Sequence, residues 1–168
     1  DRELVDGEIV TGDGWQLEAL HLPGHMANHL GFATEGRLFS GDLVMGWASS
    51  LISPPDGDLR AFMQSLDRLR ARDWTCFLPG HGAPVPDPTT RVEALRTHRL
   101  ARETAILEAL GDGAATPASL ARRIYTDTPP ALLPAAARNV LAHLIALHEN
   151  GRVSGHAEPG FDTVFSLP

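Results

Sequence analysis

Leu20-His21-Leu22-Pro23-Gly24-His25 and Cys76-Phe77-Leu78-Pro79-Gly80-His81-Gly82 share one design: a short apolar run, then Pro-Gly, then His. The apolar run reads as a strand. Pro-Gly stops it with a sharp turn, and glycine, lacking Cβ, lets other backbone pass close by. An imidazole placed there projects beyond the end of a sheet, where a metal ion or substrate can reach it. Between the two stretches, Leu38-Phe39-Ser40-Gly41-Asp42 is a third strand end, and it delivers a carboxylate. Imidazole nitrogen and carboxylate oxygen are donors that Zn²⁺ accepts readily. The gaps of 17 and 39 residues far exceed zinc-finger spacings, so only the fold can bring His25, Asp42 and His81 together. Read singly, each turn is more often a turn with an exposed His than a ligand site; two of them around a Gly-Asp bring the readings level. His21 is expected to be partly buried on its strand, and His143, His148 and His156 to face solvent.

Outward from these turns, Trp15 to Leu22 alternates apolar and polar residues and reads as a strand. Leu30–Thr34 and Arg37–Ser40 flank Glu35-Gly36 as a hairpin. From Asp58 the period changes: Leu59, Phe62, Met63, Leu66 and Leu69 share one helix face, with Asp56 and Asp58 as capping residues. Trp74–Leu78 reads as a buried strand, and Asp87-Pro88 as an N-cap and first turn opening a helix that runs to Leu110. Beyond it, Thr116-Pro117 starts a short helix ending at Tyr125, and Pro134 opens a longer one closed by Gly151. Short strands are expected at Arg152–Gly155 and Thr163–Leu167 around Glu158-Pro159-Gly160. Three helices followed by a hairpin is the order of a winged helix.

Composition removes whole classes of chemistry. All 14 basic side chains are Arg, so a Schiff-base lysine, a phosphate-loop lysine and a Ser/Lys dyad are excluded. One cysteine, Cys76, allows neither a disulfide framework nor a four-cysteine zinc site. A net charge of −7 gives broad attraction to neither nucleic acid nor anionic lipid. Apolar runs fall short of the roughly 18–20 residues that span a bilayer, and no leader-like segment opens the chain, so a cytoplasmic location without a membrane partner is expected. Arg99 and Arg102 lie one turn apart, able to hold an anionic group but better read as an exposed salt-bridge face.

In this order, His25 in Leu-Pro-Gly-His-Met-Ala-Asn-His, Asp42 in Phe-Ser-Gly-Asp and His81 in Leu-Pro-Gly-His-Gly resemble the last three metal motifs of the metallo-β-lactamase superfamily. The helix after Gly57-Asp58 and the run His98-Arg99-Leu100-Ala101-Arg102-Glu103 resemble its hydroxyacylglutathione-hydrolase-like and lactamase-like endoribonuclease branch, where a C-terminal winged helix is common. The resemblance covers essentially the whole chain. It implies a mixed α/β (α+β) fold: the C-terminal half of an αββα sandwich over residues 1–100, then a winged-helix domain over 101–168. It also implies that His25 is an imidazole ligand of a first metal, Asp42 a bridging, catalytic carboxylate and His81 an imidazole ligand of a second. His29 falls where relatives carry another His, orienting a ligand, or is equally a simple loop residue. Met26 replaces the usual Thr, which leaves the bracing of that turn open.

The family's His-x-His-x-Asp-His signature, which supplies the other ligands, does not occur in these 168 residues. Its place would lie ahead of Asp1, so the expectation is the C-terminal portion of a longer enzyme, or a pseudo-enzyme. The resemblance implies a hydrolase with two Zn²⁺ per intact site, acting on a thioester, ester, lactone or phosphodiester through metal-bound hydroxide. This chain alone is expected to bind metal weakly or not at all, to be inactive and to self-associate. A small-molecule ester or thioester is the expected substrate ahead of RNA. The alternative is a non-catalytic winged-helix binding or dimerisation module; DNA ranks low because helix Pro134–Asn150 has one Arg and an apolar stripe.

Overall fold

A computed structural model describes residues 2–168. It divides into two compact units, Asp1–Ser50 with Arg60–Arg96, and Leu51–Leu59 with Thr97–Pro168.

The first unit is built on a five-stranded sheet with order β1-β2-β3-β4-β5: β1 (Ile9–Gly12), β2 (Trp15–His21), β3 (Leu30–Thr34), β4 (Arg37–Gly41) and β5 (Cys76–Pro79). The first four strands form an antiparallel meander. Glu35 and Gly36 both adopt positive φ, 46° and 73°, the backbone that a two-residue hairpin needs. Strand β1 is not among the elements expected from the sequence, although Asp13-Gly14 between Val10-Thr11-Gly12 and Trp15 is a hairpin signal of the same kind.

From β4 the chain crosses over through α1 (Leu59–Arg70) and returns as β5, parallel to β4, with Leu38 opposite Phe77 and Gly41 opposite Pro79. By register, Leu20, Ala33, Leu38, Ser40 and Phe77 share one face, and all are buried. Phe62, Leu66 and Leu69 of α1 are buried as well, as the helical spacing predicts. The opposite face carries Leu17, Leu30, Phe32, Phe39 and Leu78, which are half-buried or, for Phe39, 45% exposed.

Helix α2 (Pro88–Gly111) begins in this unit and passes into the second. Its start is capped as expected: Thr90 N–H donates to Asp87 Oδ1 at 3.0 Å, and that bond holds the Asp87 carboxyl below its usual range. In the second unit follow α3 (Pro117–Ile124), a 3₁₀ turn at Pro130–Leu132 and α4 (Leu133–Glu149). Thr116 caps α3 through Ser119 N–H at 3.3 Å. Ile106, Leu110, Leu120, Val140, Leu144 and Phe165 anchor one core cluster.

Three expectations need correction here. The two C-terminal strands reduce to single bridges, Ser154 with Ser166 and Ala115 with Phe165. The intervening loop bonds to itself instead, Gly160 N–H to Thr163 Oγ1 and Thr163 N–H to Gly160 O. His143 is not solvent-facing but 1% exposed, because it lies three residues after Val140 and four before Leu147 on the buried stripe of α4. Arg99 and Arg102 form no exposed salt-bridge face. They continue the stripe Val92, Leu95, Arg99, Arg102, Ile106; Arg99 is 2% exposed with Nη1 3.1 Å from Asn139 Oδ1, and Arg102 lies over the Tyr125 ring at 4.0 Å. Burial pushes the Arg99 guanidinium down to about 10. In addition, Pro130–Glu149, with mean hydropathy 1.3, is long and apolar enough by length and composition to cross a bilayer, although polar residues interrupt it; its buried stripe is core of the second unit.

Candidate metal centre

β2 and β4 each run antiparallel to β3, and β5 runs parallel to β4, so the C-terminal ends of β2, β4 and β5 point the same way. The turns that follow them carry His25, Asp42 and His81 at one edge of the sheet. The topology thus brings to one edge residues that are 17 and 39 positions apart in the chain. Side chains beyond the carboxyl ends of strands are well placed for ligands because no further sheet covers them.

At the β4 and β5 ends the approach is direct. Gly80 N–H donates to Gly41 O at 2.9 Å, and His81 Nδ1 lies 2.7 Å from Asp42 Oδ1. The imidazole is exposed and the carboxylate partly buried.

The β2 turn is held by three other groups. Ser65 of α1 donates from Oγ to Pro23 O at 2.7 Å, His21 Nε2 is 2.9 Å from Ala27 O, and Leu22 N–H donates to His29 O at 2.9 Å. Arg68 adds Nη1 bonds to His21 O and to Asp6 Oδ1, and the Asp6 carboxyl is lowered chiefly by that guanidinium. Gly24 takes φ 137°, and a Cβ there would fall 2.3 Å from Phe62 Cα. Ser65 and His21 thus brace the turn in which Met26 stands. Neither bracing residue was found by sequence reasoning, and His21 is exposed rather than partly buried.

His29 is buried beside this edge. Its ring stands edge-on to His25, with centroids 6.4 Å apart, and a Cβ on Gly41 would meet its Nε2 at 2.6 Å. Its Nδ1 is buried without a hydrogen-bond partner among the described residues. Burial, and then His25, lower its pKa, with Asp42 pulling the other way, so it is neutral at pH 7.

The donor set suits a metal centre in chemistry: two imidazoles, one carboxylate already in contact with one of them, and a neutral buried imidazole alongside. It fits a share of a centre, not a whole one. No group of three or more His, Cys, Asp or Glu side chains is arranged to hold a metal among the described residues.

Residues 1–81 match the Metallo-beta-lactamase superfamily and residues 116–160 the Beta-lactamase associated winged helix domain. A beta-lactamase-like protein 2 homolog of Drosophila melanogaster is 32% identical over 164 residues, covering 94% of this chain and 55% of the relative. An atrochrysone carboxyl ACP thioesterase of Paecilomyces divaricatus is 32% identical over 111 residues, covering 65% of this chain and 34% of the relative. The crystal structure of a metallo-beta-lactamase family protein from Thermus thermophilus superposes with a TM-score of 0.85 at 30% identity, covering 98% of this chain and 54% of that one. The chain spans about half the length of the Drosophila and Thermus relatives, which it matches along almost its whole extent.

Proposed function

Because the chain belongs to the metallo-β-lactamase superfamily, we propose that the protein containing it is a metal-dependent hydrolase of small-molecule thioesters or related esters. Its own contribution to the centre is His25, Asp42 and His81. The 2.7 Å approach of His81 to Asp42, across neighbouring parallel strand ends, carries this reading. The thioesterase name of one relative supports the substrate class.

His25, Asp42 and His81 would hold the metal, which we take to be Zn²⁺, together with donors from outside these residues. When bound, such a centre supplies Lewis acidity and water made acidic near neutral pH. Asp42 brings the negative charge that favours cations at this edge. Through Oδ1 it also sets the plane of the His81 ring and leaves Nε2 available as a donor. Neutral His29 packs behind His25 without adding positive charge. We place the second sheet of the sandwich on the half-covered face of Leu17, Leu30, Phe32, Phe39 and Leu78, and expect self-association through that face when the sheet is missing. DNA binding is disfavoured, since the single Arg of α4, Arg138, is bonded to Ser53 Oγ at 2.9 Å.

Thiol release from acyl-N-acetylcysteamine thioesters by the metal-loaded protein tests the reading. Removal of metal by chelator should abolish turnover. Asp42→Asn and His81→Ala should each lower kcat/KM on the order of 100-fold or more, since even residues that merely support a ligand contribute about 10–100-fold. Turnover unaffected by both substitutions would overturn it.

A further inference from the structure

The loop after Asp42 is held at almost every residue. Ser40 Oγ donates to Val44 O at 2.8 Å, and Ser50 Oγ donates to Leu43 O at 2.7 Å and also to Asp42 O. Arg91, reaching in from α2, donates from Nε to Met45 O and from Nη2 to Ala48 O, each at 2.7 Å. Between those two clamped carbonyls stands Trp47, 72% exposed. Its Nε1 donates to His81 O at 3.3 Å, and its ring fills the space that a side chain on Gly82 would need, with Cδ1 2.6 Å from the position of a Cβ there.

A single exposed apolar residue ordinarily calls for no explanation. Trp47 differs in two ways: the backbone on both sides is fixed, and the indole is bonded to the backbone of a candidate metal ligand. An aromatic surface whose ordering cost has already been met in the free protein is what a binding site gains most from.

We propose that Trp47 is a specificity-determining residue, an aromatic platform on which a planar, uncharged ring in the acyl part of the substrate stacks beside the metal centre. This rests on the hydrolase reading above. The choice of ligand follows from charge. A cation would also be drawn to the indole face, but metal held by His25, Asp42 and His81 repels it. A nucleobase would bring phosphates towards a chain of net charge −7. A neutral aryl group remains, and aromatic pairs favour it over a saturated ring of similar size.

The test compares phenylacetyl- with cyclohexylacetyl-N-acetylcysteamine, each kcat/KM being divided by that thioester's own hydroxide-catalysed rate so that intrinsic reactivity cancels from the ratio. Wild-type protein should prefer the phenyl substrate in kcat/KM by about two- to tenfold. Trp47→Phe should keep that ratio and Trp47→Leu should bring it to about one; both lose the indole N–H, so the difference reports the ring. An unchanged ratio in Trp47→Leu overturns the proposal. If the metal-loaded wild-type protein that contains this chain cleaves neither thioester, the hydrolase reading fails, and equilibrium binding of the uncleavable S-phenethyl-N-acetylcysteamine thioether still decides the role of Trp47. Tighter binding by wild type and Trp47→Phe than by Trp47→Leu sustains the platform, and equal binding by all three overturns it.

Discussion

Replacing His143 with Leu should change how the protein responds to acid. The imidazole is 1% exposed, and neither ring nitrogen has a hydrogen-bond partner among the described residues. Burial, then Arg99, Arg102 and His98, push its pKa from 6.5 down to about 3. Below about pH 6.5 the unfolded chain takes up a proton that the folded protein excludes. Stability contributed by the neutral imidazole is therefore complete above that pH and is lost as pH falls towards 3, at about 1.4 kcal/mol per pH unit. At pH 5 the loss is about 2 kcal/mol. Leu fills a similar volume and takes up no proton. At pH 7.5 the variant should be more stable than wild type by about 1 kcal/mol, because an unpaired buried polar group is costly. At pH 5 that gap should widen to about 3 kcal/mol. Urea unfolding followed by circular dichroism between pH 7.5 and 5 measures it, and subtracting wild type from variant cancels titration of His29 and the other histidines. A gap that stays constant across this range would show instead that His143 protonates freely in the folded state.

Three further outcomes concern a helix cap, the Arg91 clamp and the metal. Thr116→Ala removes the cap of α3 and should cost about 1 kcal/mol in urea unfolding, with Thr116→Ser recovering most of it. Arg91→Ala releases Met45 O and Ala48 O; it should cost about 1.5–3 kcal/mol per charged bond at most and lower the fluorescence anisotropy of Trp47, measured as the difference from the same protein carrying Trp47→Phe. Zinc added to the 168-residue chain should be removed by dialysis, leaving well under one equivalent by elemental analysis, because no three-donor group is assembled among the described residues.

The parts of the fold set by local chemistry were readable in the sequence. Glu35-Gly36, Asp87-Pro88 and Thr116-Pro117 each constrain backbone within a few residues, and the elements they bound appear where expected. The turns that carry His25, Asp42 and His81 were readable as strand ends too, because Pro-Gly-His or Ser-Gly-Asp after an apolar run is a local signal. Their meeting at one edge was not readable, since it depends on strand order: β5 could have paired elsewhere without any change in its own sequence. Charge misled in the second unit. Arg99, Arg102 and His143 occupy positions dictated by the 3.6-residue period of α2 and α4, but their polarity argued for solvent; following the period alone would have buried Arg99 and His143 and half-buried Arg102. Trp47 and Arg91 escaped notice because their roles arise from contacts separated by 34 to 46 residues.

Whether His25, Asp42 and His81 form one metal-binding edge can be read by histidine-selective ¹⁵N NMR of the protein during Zn²⁺ titration. The ring nitrogens of His25 and His81 should shift first and together, and Asp42→Asn should weaken both shifts in parallel. Shifts that begin at His148 or His156 and are indifferent to Asp42→Asn would rule out a shared edge.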